Sequence, residues 1–147
     1  RSPISAPVHI MDIVPSVCAA TGAPYPESRG GREIKPVSGT SLLPVLQGKD
    51  LPERSLKFEH QAARGLRKGD WKIVWGKRQP DEVRWELFNL ANDRSEQHDL
   101  APQQAGKVKE LAAKWEAWAV RANVKPYPNE GGGKKTANKQ GKKQRKE

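Results

Sequence analysis

The stretch 56–90 limits what this chain can fold into more than any other part. It reads L-K-F-E-H-Q-A-A-R-G-L-R-K-G-D-W-K-I-V-W-G, then a polar connection, then W-E-L-F-N-L. Residues 56–60 alternate, with Leu56, Phe58 and His60 on one face and Lys57 and Glu59 on the other. Residues 70–75 place Trp71, Ile73 and Trp75 together, and 85–90 set Trp85 and Leu87 opposite Phe88 and Leu90. A two-residue period rich in aromatic and β-branched side chains predicts half-buried strands. Residues 64–67 form a weaker fourth candidate. Lys68-Gly69-Asp70 predicts a tight turn, since Gly accepts positive φ and Asp bonds its own backbone. Short turns at regular spacing predict an antiparallel meander of three to four strands.

One helix pattern stands out downstream. Val108, Leu111, Ala112, Trp115, Trp118, Ala119 and Ala122 fall on one stripe of a helix over 105–122, with Glu110 and Lys114 off it as a favourable pair. Asn123 and Pro126 are its stop signals. A single amphipathic helix over a small sheet buries both apolar faces, so the fold class is α+β. The two tryptophans of the stripe are read as core rather than as a ligand platform.

Upstream, Asp12 is placed to cap a helix carrying Ile13, Val14, Val17, Cys18 and Thr21, with Pro15 in its first turn and Gly22 as its stop. Cys18 is read as a small buried hydrophobe on that helix. It is the lone cysteine, so it forms no intrachain disulfide and leaves the redox compartment open. Residues 25–35 read as a polar loop. Residues 42–48 read as a short helix capped by Thr40 or Ser41 and stopped by Gly48. In 91–100, acids at 93, 96 and 99 lack the spacing and central Gly of a calcium loop, and the turn-capping reading is preferred.

The net charge is +10, and 129–147 hold seven basic and two acidic side chains, so half of that charge sits there. This Gly- then Lys-rich segment has no apolar anchor and is expected to stay disordered. The remaining body is only mildly basic. No run approaches the ~18 apolar residues of a membrane span. The chain starts at Arg1 with neither Met nor a signal peptide, the look of a cut within a longer sequence or of a processed product.

Five stretches, taken in order, resemble the C-terminal portion of a sulfatase of the arylsulfatase-like group, in the alkaline-phosphatase superfamily. They are V-H-I-M-D-I-V-P-S-V-C-A-A-T-G-A (8–23), G-T-S-L-L-P-V-L-Q-G (39–48), F-E-H-Q-A-A-R-G-L-R-K-G-D-W-K-I-V (58–74), W-E-L-F-N-L-A-N-D-R-S-E-Q-H-D-L-A (85–101) and K-V-K-E-L-A-A-K-W-E-A-W (107–118). The resemblance implies a large α/β domain followed by a subdomain of antiparallel sheet and one long helix. Residues 1–55 would end the large domain and connect onward, 56–126 would be the subdomain, and 127–147 a disordered basic tail.

The resemblance further implies a hydrolase of sulfate esters, aryl or carbohydrate, that is periplasmic or secreted. Its nucleophile would be a formylglycine hydrate made within a C/S-x-P-x-R motif, with calcium beside it. Both belong to the earlier part of such proteins. Cys18 is followed by Ala19-Ala20-Thr21-Gly22 and does not fit that motif. No catalytic residue and no metal ligand can therefore be assigned in this stretch, and the piece alone is expected to be inactive. Its partners would be the missing N-terminal catalytic part and a sulfated small molecule or polysaccharide.

His60 is the one substrate-binding candidate, because the stretch after the first strand faces the cleft in such proteins. A plain hydrogen-bonded role for it is the preferred alternative, and His9 and His98 have weaker cases. Arg64 and Arg67 are read as sharing a strand face that either meets an anion or is solvated, the second being preferred. The competing function is a small basic binding module for nucleic acid or another polyanion. Nucleic acid is not expected, because the tail interleaves no aromatic side chains for base stacking.

Overall fold

The structure is a computed structural model that describes residues 6–79 and 82–124. A 3-10 turn at Ile10–Asp12 leads into α1 (Ile13–Thr21). A small hairpin follows, β1 (Ser28–Arg29) and β2 (Arg32–Glu33), then the short helix α2 (Leu43–Leu46). Four strands come next: β3 (Ser55–His60), β4 (Ala63–Lys68), β5 (Trp71–Gln79) and β6 (Glu82–Asn89). The last element is α3 (Ala105–Arg121). The class is α+β, as the sequence predicts.

The large sheet is an antiparallel meander in chain order, β3-β4-β5-β6. The register sets Leu66 against Ile73 and Ile73 against Leu87. Because side chains alternate along each strand, these three share the face that α3 covers. They are fully buried and form one cluster with Leu111, Trp115 and Ala119 of the helix. Burying each such aliphatic side chain is worth roughly 1.5–3 kcal/mol. Trp71, Trp85, Val108 and Trp118 pack around this cluster, so the predicted tryptophan core exists. The opposite face of the sheet buries Leu56 and Phe88.

Each edge of the sheet accepts or donates hydrogen bonds beyond it. At the β3 edge, the Trp115 indole N–H donates to the Phe58 carbonyl at 3.0 Å. At the β6 edge, the Leu87 N–H donates to the Asp99 carboxylate at 2.9 Å, and the Leu87 carbonyl accepts from Leu100 N–H at 2.8 Å. Open strand edges template aggregation, so side chains that close them stabilise the single molecule.

The helix stop is the predicted one. Asn123 takes φ +54°, its N–H donates to the Val120 carbonyl, and Val124 N–H donates to that of Ala119. These are the two bonds of a Schellman end. Pro126 and the basic tail lie outside the described residues.

Four expectations need correction. Residues 25–35 are not all loop: Gly30 and Gly31, at φ +58° and +76°, turn a short hairpin. Asp12 makes no side-chain cap for α1. Its carboxylate is drawn instead to an arginine and two backbone N–H groups, described below. Cys18 is half-buried rather than core, because α1 buries no residue. Thr40 does not cap α2; the Ser41 hydroxyl accepts from Leu43 N–H at 3.3 Å, and the helix spans only Leu43–Leu46.

Candidate functional site

His60 ends β3 and pairs across the hairpin with Ala63. The connection is Gln61-Ala62, at φ +50° and +70°. A two-residue hairpin loop matches strand twist when both residues take positive φ, which usually selects Asn or Gly. Here a Gln and an Ala adopt it, at roughly 1 kcal/mol of strain each. The Glu59 carboxylate accepts from Ala62 N–H at 3.3 Å and helps hold the turn. His60 is exposed and makes no side-chain hydrogen bond to another described residue. The preferred hydrogen-bonded role is therefore not what the structure displays.

Arg64 and Arg67 do not share a face. They are three positions apart on β4, and a period of two sends them to opposite sides. Arg64 lies on the helix side, its guanidinium carbon 5.3 Å from the Trp75 ring centroid and 5.0 Å from that of Trp115. Glu116 accepts from it at 3.4 Å. Trp75, Trp85, Trp115 and Trp118 follow one another edge to face, with centroids 5.5, 6.0 and 5.9 Å apart. Arg64 caps this row, since aromatic faces attract cations. Arg67 points to the second face, where its Nε donates to the Gly69 carbonyl at 3.0 Å.

Several charged groups elsewhere are committed to partners. The Asp12 carboxylate is fully buried and takes both terminal nitrogens of Arg54, at 2.6 and 2.5 Å. It also accepts from His9 N–H at 2.7 Å and Thr40 N–H at 3.0 Å. Hydrogen bonding from Arg54 holds it well below the ordinary carboxylate range, against the opposing effect of burial. Arg54 also donates to the Pro7 carbonyl at 3.0 Å. His9 is tied into the same knot, its ring accepting from Met11 N–H.

In the acidic turn, Asp93 accepts from Gln97 and His98 N–H, which lowers its pKa. Glu96 holds Lys72 at 2.5 Å. Asp99 pairs with Arg84 at 2.5 Å; burial raises its pKa, but bonds from Leu87 N–H, Ala101 N–H and Arg84 bring it lower overall. Neither calcium nor formylglycine fits these residues. Among the described residues no three His, Cys, Asp or Glu side chains gather as a metal site, and Cys18 sits on a helix outside the required motif. No step of chemistry is assigned through either group. No helix of the described residues is long and apolar enough to cross a membrane.

No protein-family model matches the chain. It is 24% identical over 127 residues to an uncharacterized sulfatase of Schizosaccharomyces pombe, covering 84% of this chain and 23% of that protein. Among solved structures, one of Ps i-CgsB matches with a TM-score of 0.60 at 24% identity, over 79% of this chain and 25% of the other. Another, solved in complex with its substrate D-glucosamine-2-N,6-O-disulfate, matches with a TM-score of 0.55 at 21% identity, over 81% and 25%. The chain thus spans about a quarter of the length of the relatives it matches. The sequence comparison bears out the resemblance to a sulfatase drawn above from five stretches, and the solved structures share the fold.

Proposed function

We propose that this chain is the C-terminal portion of a sulfate ester hydrolase, completing the fold and forming part of the rim of the substrate cleft. The observation that carries the reading is the likeness to a sulfatase across 84% of this chain but only 23% of the relative. A second feature supports it. Ile10, Ile13, Val14 and Val17 form a stripe on the first helical turns, and each is 45–78% exposed. Such a stripe belongs under another layer. In this reading residues 1–55 end a large α/β domain that covers it, and 56–126 are the subdomain.

The nucleophile and its calcium would come from the N-terminal part, with an aryl or carbohydrate sulfate as substrate and a periplasmic or secreted location. His60 would contact the organic part of the substrate. Its exposure beside two strained turn residues supports this, since strain is retained where the geometry is used. The coding region upstream of Arg1 tests the class. A C/S-x-P-x-R motif there is expected, and an upstream region without one sinks the reading. On the protein that includes that region, His60→Ala should raise KM for a sulfated sugar with little change in kcat. On the 147-residue chain alone, no turnover of a chromogenic aryl sulfate is expected, and turnover would overturn the accessory role.

A further inference from the structure

The second face of the sheet carries a groove of about 730 Å³ beside the β4–β5 turn. This falls within the ~300–1,000 Å³ of small-molecule sites. Its lining includes Val8, Phe58, Arg67, Asp70 and Arg94, together with the Lys72–Glu96 pair. Its Phe58 lies two positions from His60 on the same strand, while Arg67 and Asp70 stand toward the other end of the β3–β4 hairpin.

Its charges do not cancel. Lys72 and Glu96 neutralise each other at 2.5 Å. Among the described lining residues two arginines then stand with one carboxylate, a surplus of one positive charge. The Nε bond to Gly69 steadies Arg67 and does not use its terminal nitrogens. Arg94 makes no hydrogen bond or ion pair with another described residue. It sits in a turn that is built in advance, because Asp93 accepts from Gln97 N–H at 3.0 Å and His98 N–H at 2.8 Å. Phe58 is 42% exposed. Its ring is backed by His9, with centroids 5.4 Å apart.

We propose that this groove binds a sugar unit bearing one anionic group, a sulfate ester or a carboxylate. Arginine forks match the oxygens of either group. The Asp70 carboxylate accepts from sugar hydroxyls, and the Phe58 ring in the same lining suits the apolar face of a pyranose. One surplus positive charge matches a monoanion better than a doubly charged phosphate monoester.

The inference stands apart from the hydrolase reading: binding is measured on the 147-residue chain, while hydrolysis belongs to the longer protein. Amide NMR spectra of the chain are titrated with N-acetylglucosamine 6-sulfate, glucuronic acid, N-acetylglucosamine and inorganic sulfate. The two charged sugars should give saturable shifts at Gly69, Asp70, Lys72 and Ala91, and their relative affinities tell sulfate from carboxylate as the preferred group. The neutral sugar and inorganic sulfate should each bind more weakly. Arg94→Gln, an exposed change that leaves the fold intact, should weaken the charged sugars about tenfold, the loss of one charge-assisted contact. Arg67→Gln should act in the same direction. The proposal is overturned by an absence of saturable shifts, or by shifts unaltered in Arg94→Gln. Equal affinity for inorganic sulfate overturns the saccharide assignment, and equal affinity for the neutral sugar overturns the role of the arginines.

Discussion

Four hydrogen bonds converge on the Asp12 carboxylate, two of them from Arg54, 42 positions further along the chain. Removing one partner of a buried pair strands the other charge, which typically costs ~3–5 kcal/mol. Asp12→Asn should therefore destabilise the chain by about that amount, measured by urea unfolding at neutral pH. The pH dependence has a definite sign. The folded pKa lies below the unfolded value near ~4, so the unfolded chain takes up the proton first as pH falls. The stabilisation is complete above that pH and is lost on acidification toward the folded pKa. The gap between the parent chain and Asp12→Asn should narrow below pH ~4 and stay constant above it. An unchanging gap through that window would show that Arg54 does not act on the ionised form. A sequence reading puts Asp12 at a helix start because the spacing fits. Nothing local reveals that Arg54 lies close enough to claim it.

Glycines and turns decide matters at the level of elements. A Cβ on Gly39 would stand 2.0 Å from the Met11 carbonyl oxygen, backbone that cannot swing aside. On Gly106, in the first turn of α3, it would meet nothing within 4 Å. Gly106→Ala should thus raise stability by up to ~1 kcal/mol through helix propensity, while Gly39→Ala should lower the melting temperature. Ala62→Gly should stabilise the β3–β4 hairpin by about 1 kcal/mol, since Ala62 sits at φ +70°. A loss of stability there would mean the Ala methyl is packed rather than strained.

The periodic elements were legible beforehand. The tryptophan faces of β5 and β6, the Gly69 turn and the stop of α3 all follow from spacing and local chemistry. Strand ends were less so: β5 runs to Gln79, past the apolar pattern, because backbone pairing with β6 continues beyond it. The groove was not legible. Pro7, Phe58, Arg67 and Arg94 come together only in the folded chain, and no stretch of sequence joins them.

At the level of the whole molecule, the two ends of the described chain are satisfied to different degrees. The meander and α3 close on themselves, with an internal cluster and a hydrogen bond from outside the sheet at each edge. The region before β3 is held to the sheet side by the Arg54 knot and the contact between His9 and Phe58. Its helix α1 still shows solvent the side that periodicity marks as inward. A stripe this exposed contributes little burial to the fold of this chain, so its loss should weaken that fold little. Ile10→Ser, Ile13→Ser and Val17→Ser combined should leave the unfolding midpoint of the sheet unchanged, followed by tryptophan fluorescence. They should also reduce binding of an apolar dye and any concentration-dependent association seen by sedimentation. In the longer protein proposed above, the same three changes should do the opposite: they would place hydroxyls in an interface and lower its stability by several kcal/mol. If the triple variant unfolds the short chain as well, the stripe packs within it, and the argument that another layer covers α1 fails.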